Sequence, residues 1–227
     1  MFAKLQSEVR RPAVAGGFYP SGARELKRTV EALLSQATKR RELSGLCGLV
    51  TPHAGYVYSG PIAGKAFSLL AHSNDGPNRI LLIGPPHYVP LRGIVAPSCS
   101  AFATPLGDVA VDVGAVESLR DAGLVTLDDT PHAPEHALEV ELPFLQRVLE
   151  DFTIVPLLVG AASPEQVALV IEGVLGNRTL LVVSTDLSHY LDYASAERRD
   201  QTTAGTIEQL DYTSLGPNDA CGFSALN

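Results

Sequence analysis

Ile80-Leu81-Leu82-Ile83-Gly84-Pro85-Pro86-His87 sets an unbroken apolar run against a rigid turn and a histidine. Aliphatic side chains bounded by Gly and Pro, with no polar alternation, form the pattern of a strand covered on both faces, as in parallel sheets flanked by helices. Similar runs recur at 46–50, 94–96, 109–111, 154–159 and 180–183. Helical patterns lie between them. Leu26, Val30, Leu33 and Leu34 recur at helical spacing, and Ser59 with Pro61 reads as a helix start before Ala63, Ala66, Phe67 and Leu70. Ser163 and Gln166 form a capping-box start for a helix carrying Val167, Val170, Ile171 and Val174, which Gly176 is placed to end in a left-handed cap. Leu138, Leu142, Leu145 and Leu149 continue the theme, with Pro143 expected to kink that run or start a second helix. The alternation predicts a single-domain α/β fold around a central, mostly parallel or mixed β-sheet flanked by helices.

Composition narrows the function classes. At 227 residues and 45% hydrophobic content the chain can bury one substantial core. A formal charge of -8 opposes nucleic-acid binding, and the basic pieces Arg10-Arg11 and Lys39-Arg40-Arg41 are too short to reverse that. No apolar stretch reaches the ~20 residues a membrane span requires, and the first residues lack a secretory apolar region, so a cytoplasmic protein without membrane contact is expected. Three cysteines, an odd and sparse set, predict reduced thiols rather than a disulfide framework.

The chemistry concentrates where strands end. Leu49-Val50-Thr51-Pro52-His53, Ile83-Gly84-Pro85-Pro86-His87 and Val183-Ser184-Thr185-Asp186-Leu187-Ser188-His189 each run from a strand into a histidine-bearing loop. In a parallel sheet the carboxyl ends share one edge, where ligands bind. Imidazole ligates zinc, copper and iron and also carries protons near neutral pH. A lone histidine is more often a surface or hydrogen-bonded core residue, but three at equivalent strand ends shift that balance. His72 and His132 lack such placement and read as ordinary exposed or loop residues; Cys47 and Cys99 read as small buried side chains. Pro131-His132-Ala133-Pro134-Glu135-His136-Ala137-Leu138-Glu139-Val140-Glu141-Leu142-Pro143 gathers acids and imidazoles at a helix entry, where site residues and solvent-facing glutamates favoured by the helix dipole are equally good readings. Gly16-Gly17 and Ala54-Gly55-Tyr56 match neither a P-loop nor a dinucleotide fingerprint, so nucleotide binding has no support.

The same residues carry a family resemblance. Val14-Ala15-Gly16-Gly17-Phe18-Tyr19-Pro20, Pro52-His53-Ala54-Gly55-Tyr56-Val57-Tyr58-Ser59-Gly60, Gly84-Pro85-Pro86-His87, Thr104-Pro105-Leu106-Gly107, Glu135-His136-Ala137-Leu138-Glu139-Val140-Glu141-Leu142-Pro143, Ser184-Thr185-Asp186-Leu187-Ser188-His189 and Ala220-Cys221-Gly222 occur in the order seen in Memo (mediator of cell motility) proteins. That family resembles the class III extradiol (LigB-like) dioxygenases. The resemblance implies that His53 and His87 are metal ligands, that Cys221 takes the place of the dioxygenases' glutamate ligand, and that His189 transfers protons, with Asp186 and Glu135 lining the same cavity. A thiolate in place of a carboxylate implies iron or copper as the metal, with zinc as the alternative, and weakens the expectation of ring cleavage. It also implies a single Memo-like domain over 1–227 that stops six residues after Cys221, without the C-terminal helix and closing strands of the family.

Three functions follow as expectations. The first is a metal-dependent oxidoreductase acting on an unidentified small molecule, with Asp186 fixing the tautomer or charge of His189. The second is a non-catalytic module that binds a peptide or protein in the inherited cleft, and the third a zinc hydrolase with His189 or Glu135 as base. The resemblance adds radical S-adenosylmethionine and AMMECR-type proteins as expected partners.

Overall fold

All but one of the apolar runs become strands of a single six-stranded sheet. The computed structural model describes residues 8–37, 45–70, 76–211 and 213–227. Its strands are β1 (Val9–Arg10), β2 (Gly48–Thr51), β3 (Arg79–Gly84), β4 (Ile94–Ala96), β5 (Ala101–Thr104), β6 (Gly107–Ala110), β7 (Thr126–Leu127), β8 (Thr153–Val159) and β9 (Thr179–Ser184). Its α-helices are α1 (Ala23–Ser35), α2 (Gly60–Phe67), α3 (Val113–Asp121), α4 (Asp129–His132), α5 (Leu142–Val148), α6 (Pro164–Val174), α7 (Tyr193–Glu208) and α8 (Phe223–Leu226).

The main sheet has the order β2-β9-β3-β8-β4-β7. Strands β2, β9, β3 and β8 run parallel, β4 is antiparallel to β8, and β7 is parallel to β4. From Ile80 to Gly84 every residue of β3 is buried, as is every residue of β8 from Ile154 to Val159. This is why neither strand shows polar alternation: both faces are covered. Helices α1, α2 and α5 pack on one another, α3 and α8 each pack on α6, and these groups flank the sheet. The single-domain α/β expectation with a mixed, mostly parallel sheet holds.

The run at 109–111 does not join the main sheet as a strand. Most of it lies in β6, in a separate three-stranded sheet ordered β1-β5-β6, and only Val111 bridges to Ile154. Strands β1, β5 and β7 went unanticipated, two of them because two residues leave no pattern to read.

Helix boundaries follow side-chain chemistry. The α6 capping box forms as expected, with Ser163 accepting from the Gln166 N–H and the Gln166 side chain accepting from the Ser163 N–H. Its end differs from expectation: Leu175 turns to extended backbone (φ -59, ψ 135), and Gly176 is not among the glycines at positive φ. Ser59 occupies the α2 N-cap position, yet its hydroxyl donates 2.8 Å to the Ala54 carbonyl instead of capping, so it ties the His53 loop to the helix start. Pro143 begins α5 rather than kinking it, after a short 3-10 turn at Glu139–Glu141.

Two side chains sit differently from their sequence reading. His132 is 2% exposed, its Nε2 lying 3.1 Å from the Val95 carbonyl, because α4 directs it against the middle of β4. Cys47 is exposed just before β2, while Cys99 is buried as expected. His72 and Lys39-Arg40-Arg41 lie outside the described residues.

Candidate metal centre

Because β2, β3 and β9 are parallel neighbours, their carboxyl ends open onto one edge of the sheet. His53 follows β2 by two residues and His87 follows β3 by three. Their rings meet edge to face with centroids 5.0 Å apart. A third histidine joins them: His136 stacks on His87 at 4.5 Å and stands 5.4 Å from His53. The ligand atoms of His53, His87 and His136 all lie within 4.8 Å of one another, an arrangement that can hold a metal ion.

Cys221 enters from the far end of the chain. Its Sγ lies 3.3 Å from His53 Nε2 and accepts a 3.3 Å hydrogen bond from the Asp186 N–H, while its own N–H donates 3.1 Å to the Asp186 carbonyl. The next residue must be glycine for this approach. A Cβ at Gly222 would sit 2.8 Å from Thr185 Cβ and Oγ1, and the Gly222 N–H donates 2.8 Å to that same hydroxyl. The structure thus brings together His53, His87 and Cys221, and adds His136.

His53 and His87 are each held at Nδ1 by a neighbouring side chain. The Glu135 carboxylate accepts from the His87 N–H at 2.5 Å and lies 2.8 Å from His87 Nδ1; it also accepts from the N–H groups of His136 and Ala137, both at 2.9 Å. Burial works against its charge, but the hydrogen bonds from His87 and Ala137 outweigh that and hold the carboxyl down at about 2. For His87, burial likewise opposes charge, and hydrogen bonding to Cys221 and Glu135 raises the imidazole to about 9. His53 is governed by burial, which pushes it well below the ordinary histidine value with help from His87 and His136. His53 Nδ1 lies 2.8 Å from Ser184 Oγ. Burial also lowers His136, whose Nδ1 lies 3.3 Å from the Glu135 carboxylate without forming a well-directed hydrogen bond among the described residues.

These features fit a metal. Nδ1 of both His53 and His87 is occupied by an outer partner, which is how proteins orient imidazole ligands so that Nε2 faces the ion. Among the described residues His53 Nε2 has only the Cys221 sulfur as a hydrogen-bonding neighbour, and an adjacent carboxylate balances charge.

The remaining expected site residues separate into different tasks. His189 is exposed and lines a cavity of about 480 Å³ together with His87, Cys221, Tyr190, Leu191 and Arg199. Tyr190, fully exposed at the rim, takes a positive φ of 59°, a strained conformation for a bulky residue. Asp186 does not reach His189: among the described residues its carboxylate accepts from the N–H groups of His53 (2.9 Å) and Ala54 (3.3 Å), fixing the His53 loop. Glu135 is committed to four N–H groups and orients His87.

Neither Glu139 nor Glu141 faces solvent. Glu139 is fully buried and accepts from Arg10 (2.8 Å), the Ala13 and Val14 N–H groups (2.7 and 3.0 Å) and the Tyr19 hydroxyl (2.6 Å). It clamps the Val14 to Pro20 turn, in which Gly16 adopts φ 88°. Glu141, 1% exposed, stands 2.8 Å from Ser184 Oγ. No local pattern singles out His136, Ser184 or Glu141; the available signal was a set of acids and imidazoles too dense for an ordinary helix entry.

Comparison with known proteins places the chain in a family. A family model described as Memo-like protein matches residues 10–217. A MEMO1 family protein of Methanopyrus kandleri is 35% identical over 217 residues, covering 89% of this chain and 76% of that protein. One from Thermotoga neapolitana is 36% identical over 239 residues, covering 96% of this chain and 86% of that protein. A third, from Methanothermobacter thermautotrophicus, is 34% identical over 225 residues, covering 91% and 79%. With nearly the whole chain matched, and the matched span holding all of the cluster except Cys221, this protein belongs to the Memo family.

Proposed function

We propose that this protein is a metal-dependent oxidoreductase that binds iron or copper through His53 Nε2, His87 Nε2 and Cys221 Sγ. The observation that carries the reading is the 3.3 Å approach of Cys221 Sγ to His53 Nε2, at an edge where both histidines have their far nitrogens occupied. One thiolate with two imidazoles suits copper or thiolate-bound iron better than a hard oxygen-ligand ion. A metal held there would supply one-electron chemistry toward an oxidisable small molecule and O2. The likeness of the strand-end residues to the class III extradiol dioxygenase plan supports the same reading.

The chain's own residues do the rest. The cavity of about 480 Å³ is of small-molecule size and borders His87 and Cys221 directly. His189, on that wall and open to solvent, is placed to take a proton from a bound substrate and release it to water. Asp186 positions the His53 backbone, and Glu135 positions the His87 ring. In a zinc hydrolase, Glu135 is poorly suited as the base, since four N–H groups already occupy it.

A second reading, a peptide- or protein-binding cleft, draws on the exposed Val57 (88%), Tyr58 (83%) and Tyr190 (103%), which follow His53 and His189 in the chain. It predicts partner binding that survives His189→Gln.

The test is anaerobic purification and reconstitution with Fe(II), Cu(I) or Zn(II), followed by elemental analysis of wild type, His53→Ala, His87→Ala and Cys221→Ser. Near-stoichiometric iron or copper, lost in all three variants, is expected. Failure of the wild type to hold metal after reconstitution would sink the oxidoreductase reading and leave the binding cleft.

A further inference from the structure

Three short contacts converge on one hydroxyl behind the site. Ser184 Oγ lies 2.8 Å from His53 Nδ1, 2.7 Å from the Ala137 carbonyl oxygen and 2.8 Å from Glu141 Oε1. Ser184 and Glu141 are buried, at 0% and 1% exposure, and His53 is 1% exposed. Contacts this short between buried polar atoms each need their own hydrogen. A single hydroxyl hydrogen cannot point along two of them, because shared bonds lengthen and bend. Ser184 has one hydrogen and two lone pairs. The Ala137 carbonyl has no hydrogen to offer, so Ser184 must donate to it. The other two hydrogens must then come from the partners.

We infer that Glu141 is a neutral carboxylic acid that donates its proton to Ser184 Oγ, and that Ser184 in turn accepts from His53 Nδ1–H, so that His53 presents Nε2 to the pocket as a bare lone pair. Glu141 is therefore a positioning residue. The alternatives fail the count. If Glu141 were ionised and took the Ser184 hydrogen, the Ala137 carbonyl would face the serine oxygen at 2.7 Å with nothing between them. If His53 carried its proton on Nε2, its Nδ1 would need the same hydrogen that the carbonyl requires.

The surroundings favour the neutral acid. Burial pushes the Glu141 carboxyl up to about 8, against hydrogen bonding from Ser184 and Thr51, and the Asp186 carboxylate adds to the rise. Tyr56, the other titratable neighbour, is itself driven well above its ordinary value by burial and by Glu141. No basic residue is hydrogen-bonded to Glu141 among the described residues, in contrast to Glu139, which has Arg10. Among the described residues Glu141 Oε2 is enclosed without a well-formed hydrogen bond, a cost far lower for a neutral carbonyl oxygen than for a carboxylate.

The relevance to metal binding rests on the reading above, whereas the proton assignment is tested in the metal-free protein, so the two can fail separately. The full chain with 15N-labelled histidine and 13C-labelled glutamate is measured at pH 6 to 7. The nitrogen spectrum is expected to show neutral His53 protonated at Nδ1, and the infrared spectrum a protonated-carboxyl band that disappears in Glu141→Gln. A second pair of variants addresses positioning. Glu141→Gln keeps a donor toward Ser184 and is expected to bind Co(II) within about threefold of wild type, while Glu141→Leu loses roughly tenfold and gives mixed His53 tautomers, as for outer partners of metal ligands. An Nε2-protonated His53, or the absence of a protonated-carboxyl band in the wild type, overturns the assignment without any variant having to fold. Wild-type tautomer and Co(II) affinity in Glu141→Leu overturn the positioning role.

Discussion

His132 and His136 stand four residues apart and end in opposite roles. His132 is buried, its ring spent on the Val95 carbonyl and edge-on to Phe102. His136 stacks on His87 in the histidine cluster, with Nδ1 enclosed 3.3 Å from the Glu135 carboxylate but without a well-formed hydrogen bond among the described residues. The same contrast divides the acids of this segment: Glu139 meets a guanidinium and builds the fold, while Glu135 meets the His87 imidazole directly and Glu141 meets the hydroxyl beside His53. Burial alone does not separate these tasks; what each polar atom faces does.

The contrast can be broken hardest at Glu139. Glu139→Ala strands the Arg10 charge and leaves the Ala13, Val14 and Tyr19 donors unmet, and is expected to cost about 3–5 kcal/mol in urea unfolding. Metal affinity of the fraction that folds should change little.

Next comes pH. Burial lowers His132 to about 4 in the folded protein, against an ordinary value near 6.5, so the unfolded chain binds the extra proton between those values. The neutral His132 contribution is intact above pH 6.5 and is lost as pH falls toward 4, on the order of 3 kcal/mol. His132→Gln should flatten that part of the stability profile; an unchanged slope would contradict the assignment.

Glu135→Gln acts on the site instead of the fold. It should weaken metal binding by roughly 10- to 100-fold in competition with a chelator, as expected for an outer partner of a ligand. The smallest effect belongs to Cys47→Ser, since Cys47 is exposed and away from the cluster: stability within about 0.5 kcal/mol and unchanged metal content.

Much of this was legible in the chain. The fully apolar run at 80–83 announced a two-sided sheet, and three strand ends carrying histidines pointed to one edge. His53 and His87 meet there because their strands are parallel and near each other in the sheet. Other features were not legible. Arg10 and Glu139 lie 129 residues apart, and no local pattern says that one will neutralise the other. His136 looked like part of a helix entry because its ring stacking depends on how the segment crosses β3. Cys47 looked buried because small thiols usually are, yet it stands at the edge strand's start, where its carbonyl joins the ladder to Leu181 and its side chain stays exposed.

The most direct test of the centre is Co(II) absorption in wild type, Cys221→Ser and His136→Ala. The account predicts a sulfur-to-cobalt charge-transfer band in the wild type that persists in His136→Ala and is lost in Cys221→Ser. A wild-type spectrum without that band, with binding abolished by His136→Ala, would contradict it and assign the metal to the three histidines alone.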